Sequence, residues 1–95
     1  MSFVLSPRAQ VDLADIWDHT ARRWGVGQAE RYVRQIESTL QLLSASPGLG
    51  RSADAIRAGY RKYPCGAHMI FYRPMDWGID VVRFLHQRMD IERHL

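Results

Sequence analysis

The sequence predicts an α+β domain in which two antiparallel helices pack on a small antiparallel β-sheet, and three observations support this. Apolar residues recur at helical spacing through residues 9–43, and the period changes to two after Gly59. Glycine and proline separate the periodic segments. The chain has 95 residues, 46% of them hydrophobic, which predicts one globular domain spanning residues 1–95.

The amino-terminal segment predicts a short strand followed by a helix. Phe3-Val4-Leu5 is a brief apolar run. Ser6 suits a helix cap through its hydroxyl, and Pro7 suits the first helical position, where no N–H partner is needed. Gly25 allows the helix to end. The apolar stripe of this helix comprises Ala9, Leu13, Ile16, Trp17, Thr20 and Trp24.

A second helix is expected after a tight turn through Val26-Gly27, and Pro47-Gly48 ends it. Because the connection is so short, the two helices should be antiparallel neighbours. The segment 49–58 predicts a loop, with one helical turn near Ala53–Ile56. The stripe of the second helix comprises Ala29, Tyr32, Val33, Ile36, Leu40 and Leu43.

The remaining segment predicts three short strands joined by turns, which make an antiparallel meander. The predicted strands are Tyr60–Tyr63, Ala67–Arg73 and Ile79–His86, and the turns are Pro64–Gly66 and Pro74–Gly78.

The third predicted strand is apolar on both faces. In a regular strand, Val82 and Phe84 point one way. The other face carries Ile79, Val81, Arg83 and Leu85. Two helices cover only one face of a small sheet, so the other face is either a binding surface or covered by the chain itself.

The composition and charge of the chain limit the kinds of function and the cellular location that are expected. The formal net charge of +3 permits contact with nucleic acid or an acidic protein and demands neither. The single cysteine, Cys65, excludes an internal disulfide and fits a reducing compartment. Neither a signal-peptide pattern nor an apolar run long enough to span a bilayer is present, so a cytoplasmic protein without membrane contact is expected.

The sequence lacks the usual signatures of cofactor and metal chemistry. The histidines, His19, His68, His86 and His94, are scattered, so no metal site is predicted. No phosphate-binding glycine motif is present, and no cofactor is expected. Cys65 lies in a predicted turn, where a packing role is expected. Acid–base cleavage of RNA stays open, because His86 and several arginines lie on or beside the predicted sheet.

In their order along nearly the whole chain, the residues resemble the ParE toxins of the RelE/ParE superfamily of bacterial toxin–antitoxin systems. The densest matches are segments 68–73 and 81–90, and shorter ones include Leu5-Ser6-Pro7, Trp24-Gly25 and Gly59-Tyr60-Arg61. The resemblance implies a RelE/ParE-like fold with the amino-terminal strand at an edge of the meander. It also implies neutralisation by a ParD-like antitoxin and inhibition of DNA gyrase, without enzymatic activity and without sequence-specific DNA binding by this chain.

The resemblance and the strand pattern together suggest two sets of contact residues. Arg61, Arg83, His86 and Arg88, with the tail through Leu95, are expected to contact the target. Trp17, Val81 and Leu85 are expected to contact the antitoxin, and no catalytic residue is assigned. The alternatives are a ribosome-dependent mRNA endoribonuclease of the RelE type and a degenerate toxin that only binds antitoxin. The chain has one lysine, Lys62, and lacks the tyrosine expected after the last strand, which weakens the nuclease alternative.

Overall fold

Two helices pack on a five-stranded mixed sheet with the strand order β1-β5-β4-β3-β2. The structure, a computed structural model, describes residues 2–88 and 95. The elements are β1 Ser2–Leu5, α1 Pro7–Trp24, α2 Val26–Ala45, a 3-10 turn Pro47–Leu49, β2 Arg51–Ser52, β3 Arg61–Cys65, β4 His68–Met75 and β5 Gly78–His86. The predicted α+β architecture is confirmed. Two details differ: the two-residue strand β2 was not predicted, and β1 runs parallel to β5.

The helices begin and end largely where the local chemistry requires. The Ser6 hydroxyl accepts a hydrogen bond from the Ala9 N–H at 3.0 Å and caps α1. The prediction of a turn through Val26-Gly27 is wrong, because Gly25 alone separates the helices. Its φ of +94° lets the chain reverse within one residue. The Gly25 N–H closes α1 on the Ala21 carbonyl, and its carbonyl accepts from the Ala29 N–H.

Strand β1 lies against β5 because Gly78 leaves room for it. Ser2 is in register with Gly78, and Leu5 with Val81. Gly78 has a φ of +146°, and a Cβ at this position would collide with the backbone of Ser2. A side chain here would therefore push β1 off the sheet.

The meander strands are longer than predicted because the turns are shorter. Two-residue turns join β3 to β4 and β4 to β5, so Pro64 and Pro74 lie inside strands rather than in turns. Pro64 and Pro74 each pair with a neighbouring strand on only one side of their own strand. Strand β2 pairs only with Arg61 and Lys62, and the β3–β4 pairing ends at Tyr72. The missing proline N–H therefore costs no ladder hydrogen bond.

A β-bulge at Val82 overturns the predicted faces of the last strand. Phe71 pairs with Arg83 and Tyr72 with Val81, which leaves Val82 between them without a partner. The extra residue reverses the alternation beyond it. Ile79, Val81 and Phe84 consequently share the helix-facing core, and Leu85 faces the other way with Phe71.

The second face of the sheet is covered by the chain itself, which settles the alternative left open by the sequence. Phe71 and Leu85 form a small cluster with Ala53, and residues 56, 60, 69 and 95 pack against it. The predicted helical turn is present, since the N–H groups of Ile56 and Arg57 both donate to the Ala53 carbonyl. The Arg57 guanidinium donates to the Leu95 carbonyl at 2.8 and 3.1 Å, which holds Leu95 over this cover.

Neither α1 nor α2, the helices of the described residues, is long and apolar enough to cross a membrane.

Candidate functional site

A cleft of about 560 Å³ opens on the helix side of the molecule, where α1 and the start of α2 meet the ends of β4 and β5. We call it the histidine cleft. Its floor is apolar and includes Ile16 and Phe84, while polar side chains from both helices surround it. The lining residues are Asp12, Asp15, Ile16, His19, Thr20, Arg23, Trp24, Gln28, Tyr32, Ala67, His68, Phe84 and His86.

One wall of the cleft is fixed by Asp12. Its carboxylate accepts hydrogen bonds from the Arg83 guanidinium at 2.7 and 2.8 Å and from the Phe84 N–H at 3.0 Å. Strand β1 pairs with β5 only as far as Val81, so the edge of β5 is open beyond that point. Asp12 satisfies this open edge and neutralises Arg83 at the same time. Its hydrogen bond raises the pKa of Arg83 above the ordinary value for arginine.

A second part of the cleft lining is a cluster of Tyr32, His68 and His86. The Tyr32 hydroxyl lies 2.6 Å from His68 Nδ1 and 3.2 Å from the Cys65 carbonyl, and it accepts from the Ala67 N–H at 3.1 Å. His68 and His86 are directly opposite each other on β4 and β5, with ring centroids 5.5 Å apart at 77°. The three rings therefore form one connected polar group at the end of the sheet.

The pKa values of two groups in this cluster, Tyr32 and His68, are shifted from their ordinary values. Burial raises the pKa of the Tyr32 hydroxyl. Burial also lowers the pKa of His68, and the neighbouring His86 lowers it further, while Asp12 acts in the opposite direction. His68 is therefore held in its neutral form near neutral pH.

Gly66 makes the approach of Tyr32 possible. It occupies the β3–β4 turn with a φ of +58°, and a Cβ there would overlap the Tyr32 ring. A bulkier residue at position 66 would therefore displace the hydroxyl from His68.

The rim of the cleft carries exposed apolar surface at the connection between the helices. Trp24 is 66% exposed and Val26 is 57% exposed. The Arg23 guanidinium lies 5.2 Å from the centroid of the Trp24 ring, a cation–π contact that holds a charge beside the exposed ring. An aromatic ring next to an arginine is typical of protein interfaces.

The residues predicted to contact the target do not form a single group. His86 lines the cleft, and Arg83 lies at its edge in the ion pair with Asp12. Arg88 is exposed, and its backbone N–H donates to His86 Nδ1 at 3.2 Å. Arg61 lies across the sheet on β3, where its guanidinium donates to the Gly50 carbonyl at 2.6 Å. Residues 89–94 of the expected tail contact lie outside the described residues.

Two of the three residues predicted to contact the antitoxin are inaccessible in this fold. Val81 is 0% exposed in the helix-facing core and Leu85 is 1% exposed under the cover on the other face. Trp17 is half-buried on α1. The exposed ring near the cleft belongs instead to Trp24, which the sequence pattern assigned to the buried stripe.

Sequence reasoning missed most of the cleft. Tyr32 was assigned to the apolar stripe of α2, and His68 was treated as an isolated histidine. The cross-strand register of His68 and His86 would have revealed their contact, but the predicted turn at Pro64–Gly66 included part of β3. The prediction that Cys65 lies in a turn is wrong: it is buried in β3, and its Sγ lies 3.5 Å from Thr39 Oγ1. Among residues 2–88 and 95, no group of three or more His, Cys, Asp or Glu residues is arranged to hold a metal ion.

The comparisons with protein families and with known proteins point to the same family. The family model described as "ParE toxin of type II toxin-antitoxin system, parDE" matches residues 3–91. The "Toxin ParE1" of Mycobacterium tuberculosis is 52% identical over 94 residues, covering 98% of this chain and 96% of that protein. The "Toxin ParE1" of Caulobacter vibrioides is 42% identical, covering 96% of this chain and 94% of that protein.

A more distant relative and a solved structure agree with these matches. The "Toxin ParE" of Escherichia coli is 30% identical, covering 99% of this chain and 92% of that protein. A chain from the structure titled "Chromosomal ParDE TA system from P. aeruginosa" superimposes with a TM-score of 0.77. At 22% identity, with coverage of 90% of this chain and 95% of that chain, it supports the fold.

Proposed function

This chain belongs to the ParE toxin family of type II toxin–antitoxin systems, and from this membership we propose that it inhibits DNA gyrase in the cytoplasm and is neutralised by a ParD-like antitoxin. The proposed inhibition is non-enzymatic: the toxin acts by binding. The histidine cleft carries the argument for the antitoxin. It is concave, it has an apolar floor, and an exposed tryptophan borders it.

The shape and chemistry of the cleft favour an amphipathic helix as its occupant. Ile16 and Phe84 provide an apolar floor for the buried face of such a helix. Trp24 and Val26 provide exposed apolar surface at the rim, and Arg23 offers a donor to carboxylates on the polar face of the helix. Trp17, half-buried on α1, is a further candidate contact.

The proposed gyrase contact lies next to the cleft. His86 belongs to the cleft and Arg88 is exposed two residues further along, so together they form one surface at the end of β5. Arg83 contributes indirectly, since its guanidinium is bound to Asp12. An antitoxin that fills the cleft would cover His86, and this overlap would explain neutralisation.

A second candidate function, acid–base cleavage of mRNA, is favoured by the cluster of Tyr32, His68 and His86. A hydroxyl 2.6 Å from an imidazole, with a second imidazole beside it, has the groups needed for proton transfer. In the cleft lining the Asp15 carboxylate offsets the charge of Arg23, and Asp12 binds Arg83, so the lining offers no excess of positive charge to a phosphate. For this reason binding remains the better-supported function.

A supercoiling assay with purified gyrase and the folded toxin tests the proposal. We expect loss of supercoiling and accumulation of cleaved DNA, both reversed by a ParD-like antitoxin. Supercoiling that is unaffected by a verifiably folded toxin would refute the gyrase assignment. The same preparation is added to translating ribosomes: mRNA cleavage that His86→Ala abolishes would support the nuclease instead. Inactivity in both assays with intact antitoxin binding would identify a degenerate toxin.

A further inference from the structure

One short segment of this protein carries a local excess of positive charge. Residues 51–62 contain four of the 13 lysines and arginines and only one of the ten acidic residues. This local excess equals the formal net charge of +3 of the whole chain. The four cations are Arg51, Arg57, Arg61 and Lys62. Arg61 pairs with Tyr72 of the helix-facing core, whereas Lys62 pairs with Phe71 of the other face, so we call only the surface formed by Arg51, Lys62 and the loop residue Arg57 the basic edge.

At the centre of the basic edge two cations lie directly opposite each other. Arg51 on β2 is in register with Lys62 on β3. Side chains in register on neighbouring strands point to the same face, and like charges in this arrangement destabilise the pair. Among the described residues neither side chain forms a salt bridge, and Arg51 is exposed. The fold therefore tolerates an unfavourable pair that an external anion would stabilise.

The acid nearest in sequence, Asp54, forms no salt bridge with this pair within the described part of the chain. Asp54 uses its carboxylate to accept the Gly59 N–H at 2.8 Å, which closes the loop between the two strands. The Arg61 guanidinium donates a hydrogen bond to the Gly50 carbonyl, and the Arg57 guanidinium donates to Leu95. Arg51 and Lys62 thus remain the cations best suited to an outside ligand.

The basic edge has little exposed apolar surface for a protein partner. No large hydrophobic side chain within residues 51–66 is exposed, and Leu49, two residues before Arg51, is 47% exposed. Phe71, the neighbour of Lys62 on β4, is 0% exposed under the loop. Protein interfaces draw their affinity from buried aromatic and aliphatic anchors. Phosphate backbones instead bind cationic surfaces through the release of counterions, without apolar contact.

We propose that the basic edge binds the phosphate backbone of duplex DNA, independently of sequence, through Arg51 and Lys62. This goes beyond inhibition of gyrase and does not depend on it, since DNA binding is a property of the toxin alone. If gyrase is the target, the same surface would meet the DNA that the enzyme holds.

Fluorescence anisotropy of a short labelled duplex of arbitrary sequence, titrated with the full-length toxin, tests the proposal. Two or three neutralised phosphates predict that affinity falls about 10- to 40-fold between about 50 mM and about 200 mM salt. In the Arg51→Gln, Lys62→Gln double variant we expect binding at least about tenfold weaker at low salt, and a loss of less than about threefold over the same salt range.

The matched control is the Arg8→Gln, Arg22→Gln double variant, which removes the same charge from exposed positions on α1. We expect it to retain the salt dependence of the parent. Equal weakening in both double variants would show a general charge effect and overturn the proposal, as would a parent that does not bind DNA at low salt. Tighter binding of polyglutamate than of DNA would assign the edge to an acidic protein. Thermal melting monitors folding, and relief of the like-charge pair should leave the midpoint unchanged or slightly higher.

Discussion

The histidine cleft and the basic edge differ in how the chain builds them. The cleft brings together residues from α1, α2, β4 and β5. Its walls are held by hydrogen bonds that the Asp12 carboxylate accepts and by the contact of the Tyr32 hydroxyl with His68. The basic edge comes from one segment, residues 51–62, and its central cations, Arg51 and Lys62, have no salt-bridge partner among the described residues. The histidine cleft is a concave site with little net charge, whereas the basic edge is a surface of positive charge.

This difference indicates two kinds of recognition. A shaped site with fixed donors and acceptors discriminates between partners, because a poorly fitting partner leaves buried polar groups unpaired. A charged strip attracts any phosphate backbone and loses affinity as salt increases. We therefore expect variants of the cleft to change specific protein binding and folding stability, and variants of the edge to change salt-dependent DNA binding.

The largest expected effect on stability comes from removing Asp12. Asp12→Ala removes the carboxylate to which the Arg83 guanidinium and the Phe84 N–H both donate, and the side chains of Asp12 and Arg83 are nearly buried, at 12% and 11% exposed. Loss of one partner of such a pair costs about 3 kcal/mol of the free energy of unfolding. Urea denaturation measures this change.

The control for this prediction is the other ion pair of the described residues, Arg73 with Asp80, in which the Arg73 side chain is 48% exposed. Arg73→Ala should cost less than about 1 kcal/mol, because solvent screens an exposed pair. A similar loss in both variants would mean that Asp12 does not hold the wall of the cleft.

A smaller effect is expected from acidification. The pKa of His68 in the folded chain is lowered by burial and by His86, below the ordinary value of 6.5. As the pH falls through 6.5, the unfolded chain takes up this proton before the folded chain does. The free energy of unfolding therefore decreases with falling pH until His68 is protonated in the folded state, whereas above 6.5 His68 contributes no pH dependence.

Denaturation of the parent and of His68→Gln across this pH range measures the effect. His68→Gln should remove this part of the pH dependence. His19→Gln, which changes an exposed histidine of the same cleft, should retain most of it, because His19 has the weakest of the four influences on the pKa of His68. An unchanged dependence in His68→Gln would show that the cluster does not carry the proton linkage.

The fold was largely predictable from the sequence because its signals are local. The apolar stripes of α1 and α2, the cap at Ser6 and the period of two after Gly59 all operate within a few residues. Strand β2 was missed because two residues carry no periodicity. The bulge at Val82 was missed because a bulge depends on the register with the partner strand, and it moved Leu85 to the opposite face from Val81.

The cleft was much less predictable than the fold. Arg83 and Asp12 are 71 positions apart, and Tyr32 and His68 are 36 apart, so no local pattern links them. Arg83 and His86 were nevertheless identified as candidates, from their place at the end of the last strand. The basic edge differs from the cleft, because its charged residues can be read directly from the sequence. That Arg51 and Lys62 lie opposite each other could be seen only from the pairing of β2 with β3.

The central claim is that the cleft receives the antitoxin and the basic edge does not. Titration calorimetry of the antitoxin with the parent toxin, with Trp24→Ala and with the Arg51→Gln, Lys62→Gln double variant tests it most directly. Trp24 is 66% exposed, so its truncation should leave the fold intact. We predict that Trp24→Ala weakens antitoxin binding by about tenfold or more, as expected for an interface anchor, while the edge variant stays within about twofold of the parent. An edge variant that loses affinity while Trp24→Ala retains it would contradict the account.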